Sequence, residues 1–181
     1  PRLLKYIGYM AFSASNVIDV ESCETIEIPS SFEFMGDRVF KYASLHSISL
    51  PESITSIPEG LFYRSRVAHV TIPSTVTSIG KRAFCGCKEL HTCKIPFSVT
   101  SIGDHAFLRC YCLKKVFIHR DLTTLGMNPF GCCQLKSMRV ERSNPSFVFV
   151  DGALFNKQKT RLIQYLQSEN ATYTIPDTVQ T

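Results

Sequence analysis

Eight cysteines and five histidines are the residues here whose chemistry could exceed packing. The cysteines fall as Cys85-x-Cys87, Cys110-x-Cys112 and Cys132-Cys133, with Cys23 and Cys93 apart. Structural zinc asks for C-x2-4-C pairs, or one such pair with H-x3-5-H. None of these spacings supplies it, so no metal ligand is assigned and no cofactor is expected. His46, His69 and His91 recur at near-regular intervals and could converge on one face; polar surface residues are the plainer reading. A catalytic centre needs a nucleophile, a base and an orienting group in reach. No G-x-S-x-G, G-x-x-x-x-G-K-S/T or H-E-x-x-H occurs, and Asp104-His105 reads as a solvated pair. No catalytic residue is assigned, and the chain is not expected to be an enzyme. A metal- or thiol-dependent enzyme built on Cys85, Cys112 or Cys132 is the most distant alternative.

Most of these cysteines belong to a larger pattern. "VTSIGKRAFCGC" (Val76 to Cys87) returns almost unchanged as "VTSIGDHAFLRC" (Val99 to Cys110). A fixed period is the mark of stacked units. Phenylalanine recurs at Phe12, Phe40, Phe62, Phe84, Phe107 and Phe130. Five residues earlier stand Ile7, Met35, Ile57, Ile79, Ile102 and Leu125. Three residues later comes a small side chain: Ser15, Ala43, Ser65, Cys87, Cys110, Cys133. Each unit alone could not bury its apolar side; stacked, the columns bury one another. The Phe column is expected to be a spine of rings. The small column is expected where layers approach closely, and its cysteines are expected to be reduced thiols that pack as small hydrophobes.

Each unit ends in an L-x-x-I-x-L-P phrase, as in Leu45-x-x-Ile48-x-Leu50-Pro51 and Leu90-x-x-Cys93-x-Ile95-Pro96. Its apolar–polar alternation is that of a strand with one buried face, and the Pro stops it. The V-T-S-I-G-x-x-A-F-x-x-C phrase has apolar spacing suited to a helical turn or two. The glycine column contains Pro58, so it needs no left-handed residue; the first turn of a short helix suits it. Between Asn144 and Leu166 the pattern changes to short strands. Asp151-Gly152 signals a hairpin, and a second turn falls at 156–160.

The outward strand positions grade from acidic (Glu24, Glu27) through neutral to basic. His91, Lys94, Lys114, Lys115, Phe117, Lys136 and Arg139 gather toward one end. They are the candidate ligand-binding residues: a basic patch with an aromatic anchor. A protein or glycan ligand is the expected partner, and an acidic one suits the patch. No nucleic acid is expected, since one exposed Phe is a poor base-stacking platform. The competing reading is a solvated strand face, because Lys on exposed strands deters sheet pairing.

These phrases resemble leucine-rich repeats, and the fuller I-P-x-x-V-T-S-I-G-x-x-A-F-x-x-C-x-x-L pattern resembles the BspA-like, or Treponema-type, subclass. The resemblance implies a right-handed solenoid with a parallel β-sheet on the concave face and short helical or 3-10 segments on the convex face. It implies six repeat turns over residues 1–140, then a hairpin-containing variant repeat and the start of a further turn over 141–181. It also implies a non-catalytic interaction module, at the cell surface or outside the cell, with recognition or adhesion as its role. The alternative is an intracellular, cytoplasmic scaffold, which the apparently reduced cysteines suit. His119 in place of the usual Pro, Pro129 in place of Ala and an insertion in the first turn depart from the pattern. Both ends cut through repeats, so a longer array is expected.

At 181 residues with a formal charge of +5 the chain has the balance of an ordinary globular protein. No apolar run approaches the roughly 20 residues that span a bilayer. Asn170-Ala171-Thr172 is a glycosylation sequon that matters only for a secreted protein. The oligomeric state is open.

Overall fold

The computed structural model describes residues 5–13, 23–26, 28–29, 31–166 and 174–179. Ser15, Glu27, the Asn170 sequon and the side chains of Cys23 and Glu24 lie outside the described residues. Strands come in two kinds. Two-residue pieces are β1 (Tyr6–Ile7), β3 (Phe34–Met35), β5 (Ser56–Ile57), β7 (Ser78–Ile79), β8 (Ser101–Ile102) and β10 (Thr124–Leu125). Longer ones are β2 (Cys23–Ile26), β4 (Leu45–Ser49), β6 (His69–Thr71), β9 (Lys115–Ile118) and β11 (Ser137–Val140). All pairings among these are parallel and link one coil to the next. The result is a parallel β-solenoid.

The longer strands form the main sheet, in two pieces: β2–β4–β6 and β9–β11. Between them, residues 92–95 contribute one bridge, His69 to Thr92, and no strand. The short pieces form a second parallel ladder, β5–β7–β8–β10. Its threonines bind coil to coil: Thr77 Oγ1 donates to the Thr55 carbonyl (3.1 Å) and Thr100 Oγ1 to that of Thr77 (3.3 Å).

The helical expectation for the V-T-S-I-G-x-x-A-F segment is corrected. The Ser-Ile pairs are strands, and the residues after them form a run of turns; no helix occurs among the described residues. Two features forbid one. Each coil from the second onward carries left-handed residues two positions after the glycine column and two after the Phe, as at Arg38 (φ 54°) and Tyr42 (φ 59°), or Gly60 (φ 60°) and Arg64 (φ 55°). A single left-handed residue already breaks a right-handed helix. The amides also alternate in direction. Gly60, Phe62 and Arg64 donate to Lys81, Ala83 and Cys85 of the next coil, at 2.7–2.9 Å. Leu61, Tyr63 and Ser65 donate back three residues within their own coil. Half of the donors are thus spent on stacking, and a helix would keep them all.

The glycine column needs no left-handed residue, but the reason is contact rather than a helix start. A Cβ on Gly80 would lie 2.7 Å from the Ile57 carbonyl oxygen, and one on Gly103 2.7 Å from the Lys81 nitrogen. The axis of the core is the ring column, fully buried from Phe40 to Phe130 and exposed at Phe12. Phe12, Phe40, Phe62, Phe84, Phe107 and Phe130 stack with centroids 4.9–5.6 Å apart and planes within 19°.

After β11 the chain forms an antiparallel meander, β12 (Phe147–Val150), β13 (Ala153–Asn156) and β14 (Leu162–Tyr165). Asp151 and Gly152, both at positive φ (49° and 78°), make the two-residue turn between paired Val150 and Ala153. Asn144 ties this unit to the stack. It is buried; its amide donates to the carbonyls of His119 (2.7 Å) and Leu122 (2.9 Å), and its oxygen accepts from the Ser146 and Phe147 amides.

Candidate functional site

The residues with the most chemistry divide into a buried set and a surface set. Cys87, Cys110 and Cys133 project into the small column beside the ring spine. Their thiols donate to the carbonyls of Phe62 (2.9 Å), Phe84 (3.1 Å) and Phe107 (3.0 Å), each one coil back. Ser65 Oγ meets Cys87 Sγ at 3.5 Å. From Ser65 to Cys133 the column is therefore polar as well as small, whereas Ala43 meets only the size condition. Burial pushes the Cys87 thiol up to about 12 and raises that of Cys110, and thiols so raised are poor nucleophiles. Cys85, Cys87, Cys93, Cys110, Cys112, Cys132 and Cys133 are all free.

Cys85, read as an off-column reactive candidate, is buried, and burial raises its thiol pKa against the pull of Arg82, Arg109 and Arg64. Cys85 belongs to the turn run itself, its carbonyl accepting the Arg64 amide at 2.7 Å, and its burial weighs against the reactive role. Cys112 is half-buried and Cys132 exposed. The Asp104-His105 pair is not simply solvated. Asp104 Oδ1 accepts the Met127 amide of the next coil at 2.7 Å, and Asp37 does the same for Glu59 at 3.0 Å.

On the main sheet, His46, His69 and His91 form a row with centroids 5.4 and 6.0 Å apart. His69 Nδ1 contacts Thr92 Oγ1 at 3.3 Å. Among the described residues no group of three His, Cys, Asp or Glu is placed to hold a metal ion. Ala68, directly before His69, is buried.

The basic end takes its order from β9 and β11. Their register pairs Lys115 with Ser137 and Phe117 with Arg139. Lys115, Phe117 and Arg139 face outward while Val116 and Met138 face the core. Lys94 is exposed on the strandless segment beside them. No carboxylate among the described residues pairs with Lys94, Lys115 or Arg139. Lys114 differs: its Nζ donates to the Tyr111 carbonyl (2.7 Å) and to Gln134 Oε1 (2.9 Å), so its charge is anchored away from the face.

The break in the main sheet opens a cavity of about 550 Å³. His91, Lys94, Lys114, Lys115, Phe117 and Arg139 line it, and Lys136, exposed nearby, does not. Its inner wall is apolar: Ile95, Leu113 and Val116, with Phe107 and Phe130 of the spine at the closed end. Sequence reasoning named the rim and missed the cavity. The available signals were Phe97, a ring directly after Pro96, and His119 in place of Pro. In the structure these two rings meet, with centroids 5.0 Å apart, and Phe97 also meets Phe117 edge-on at 6.4 Å.

Comparison with known proteins agrees with this architecture. The family model described as "BspA type Leucine rich repeat region" matches residues 5–137 in six copies. No curated protein matches the chain. Among solved structures it is similar to the pneumococcal vaccine antigen PcpA (27% identity, TM-score 0.75, covering 97% of this chain and 45% of that one). It is similar to a leucine rich cell surface protein from Faecalibacterium prausnitzii A2-165 (25%, TM-score 0.66, 97% and 53%). It shares the fold of a leucine-rich repeat protein from Eubacterium ventriosum ATCC 27560 (24%, TM-score 0.73, 86% and 42%). The chain thus spans about half the length of these relatives.

Proposed function

The chain belongs to the BspA-type leucine-rich repeat family, and from that premise we propose that it is a non-catalytic recognition module acting at a cell surface or outside the cell. It binds an acidic protein or glycan along the main-sheet face, at the basic end. The observation that carries this is the cluster of cations, Lys94, Lys115 and Arg139, without a carboxylate partner among the described residues, around the exposed ring of Phe117. Like charges gathered on one face steer an oppositely charged partner, and an exposed aromatic beside them supplies an anchor. A pneumococcal vaccine antigen and a bacterial cell surface protein among the structural relatives favour the surface location.

The test is retention on immobilised heparin and on poly-glutamate, standing for acidic glycan and acidic protein. Reversing Lys94, Lys115, Lys136 and Arg139 to Glu is expected to abolish retention near physiological salt. Reversing Lys41, Lys81 and Lys88, away from the main sheet, is expected to leave most of it. Equal loss from both sets would reduce the interaction to net charge and remove the face from the account.

The intracellular scaffold is the second reading, favoured by the free thiols of Cys87 and Cys110. Thiol titration of protein from its natural source separates the two. Half-cystines recovered there support export, and a full set of free thiols supports the scaffold.

A further inference from the structure

The cavity on the main sheet has a composition that a surface for macromolecules does not require. Its closed end is made of Ile95, Leu113, Val116 and the spine rings. Its mouth carries Lys94, Lys115 and Arg139, none of them paired with a carboxylate among the described residues. Cations beside an apolar hollow favour a ligand that is itself divided, with an apolar body and one anionic end. A volume of about 550 Å³ lies inside the range of roughly 300–1,000 Å³ typical of small-ligand sites.

The hollow is built in. Elsewhere in the main sheet a coil's strand closes against the next by parallel pairing, as β4 does with β6 and β9 with β11. At residues 92–95 that pairing stops after the bridge to His69. Phe97 sits at this break, against the buried ring of His119 on the next coil. In the coils of Pro51, Pro73 and Pro96 the position of His119 is a proline, which offers no aromatic ring. The two rings occupy the end of the seam between the coils, and the cavity lies along that seam.

We propose that this seam cavity is a binding site for a small amphipathic carboxylate, its aliphatic or aromatic body against Leu113, Val116 and the spine and its carboxylate between Lys94, Lys115 and Arg139. The site does not rest on the recognition of a macromolecule by the same face, and its test uses small probes alone, so either reading can fail without the other. A carboxylate at the mouth gains charge-assisted hydrogen bonds from Lys and Arg. Its body gains burial that a free ion in water lacks.

The experiment is calorimetric titration of the chain with laurate below its micelle concentration, alongside dodecanol and acetate. Laurate is expected to bind saturably at one site per chain. Dodecanol, lacking the charge, and acetate, lacking the body, are each expected to bind at least about tenfold more weakly, the factor a charged hydrogen bond supplies. Changing Lys94, Lys115 and Arg139 together to Gln should weaken laurate by about the same factor and leave dodecanol unchanged. Ser137→Trp, at an exposed wall position, should fill the mouth and abolish binding while the circular dichroism spectrum and melting temperature stay as in the parent. Laurate that does not saturate, that binds no better than dodecanol, or that ignores both Ser137→Trp and the Gln triple variant overturns the site. So does a displacement of bound laurate by acetate at equal concentration.

Discussion

His119 shows what one replaced residue does in a repeat. Its ring is fully buried, and neither nitrogen has a hydrogen-bond partner among the described residues. Burial lowers its pKa below the ordinary 6.5; Asp121, the nearby Pro96 carbonyl and Glu141 pull the other way and do not win. The folded state therefore binds the proton less readily than the unfolded state. That contribution to stability is complete above pH 6.5 and is lost as pH falls from there toward the folded pKa. His119→Phe keeps the ring and removes the titration. We expect denaturant unfolding at pH 8 and pH 5.5 to differ less in this variant than in the parent, with equal or greater stability at pH 5.5; an unchanged difference would assign the pH dependence to other groups. Asn144 is the opposite case, a buried amide with every group satisfied. Asn144→Ala strands two carbonyls and two amides and should cost about 3 kcal/mol in equilibrium unfolding. At Cys110 the column wants a small donor, so Cys110→Ser, which copies Ser65, should be milder than Cys110→Val. Val adds bulk and leaves the Phe84 carbonyl without that donor; an equal cost for both would mean that size alone matters there.

At the scale of the element, the turn segment and the ring column act together. Alternating amides fix each coil at a constant distance from the next, and that distance sets the ring spacing of 4.9–5.6 Å. Offset stacking at such separations adds to area burial. Phe84→Leu in mid-spine should cost less than Phe84→Ala, whose cost we expect to be roughly 3–5 kcal/mol. Gly103→Ala should be destabilising although its φ is ordinary, because the added methyl meets the backbone of Lys81. Thermal melts of the two glycine variants Gly103→Ala and Gly152→Ala separate the causes: a Cβ on Gly152 would make only ordinary contacts, 3.7 Å from the Leu166 carbonyl oxygen, but its φ is 78°, so its penalty is conformational. The columns themselves were legible in sequence, since each reports one environment repeated. The turn geometry was not. Apolar spacings of three, seven and eight fit a helix and a run of turns alike, and only the neighbouring coil decides where the amides go.

Across the whole molecule, stability in a stack is close to a sum over neighbours, so the weakest seam governs. That seam is where the main sheet breaks between residues 92–95 and β9. Amide hydrogen exchange should be faster at Cys93, Lys94 and Ile95 than at Val116, Phe117 and Ile118. Uniform protection across the two segments would mean that the sheet is continuous in solution. Periodicity and local turn chemistry, both written along the chain, are enough for the solenoid, the spine, the small column and the hairpin at Asp151-Gly152. Strand alternation likewise names the basic residues of the sheet face, because it tells which side chains point out. The burial of Cys85, the turns in place of helices, the anchoring of Lys114 to Tyr111 and Gln134, and the cavity beside Phe97 and His119 emerge only once the coils are stacked. Each depends on contact between coils, mostly between residues about 22 positions apart, and one coil's sequence cannot state how closely the next coil approaches it.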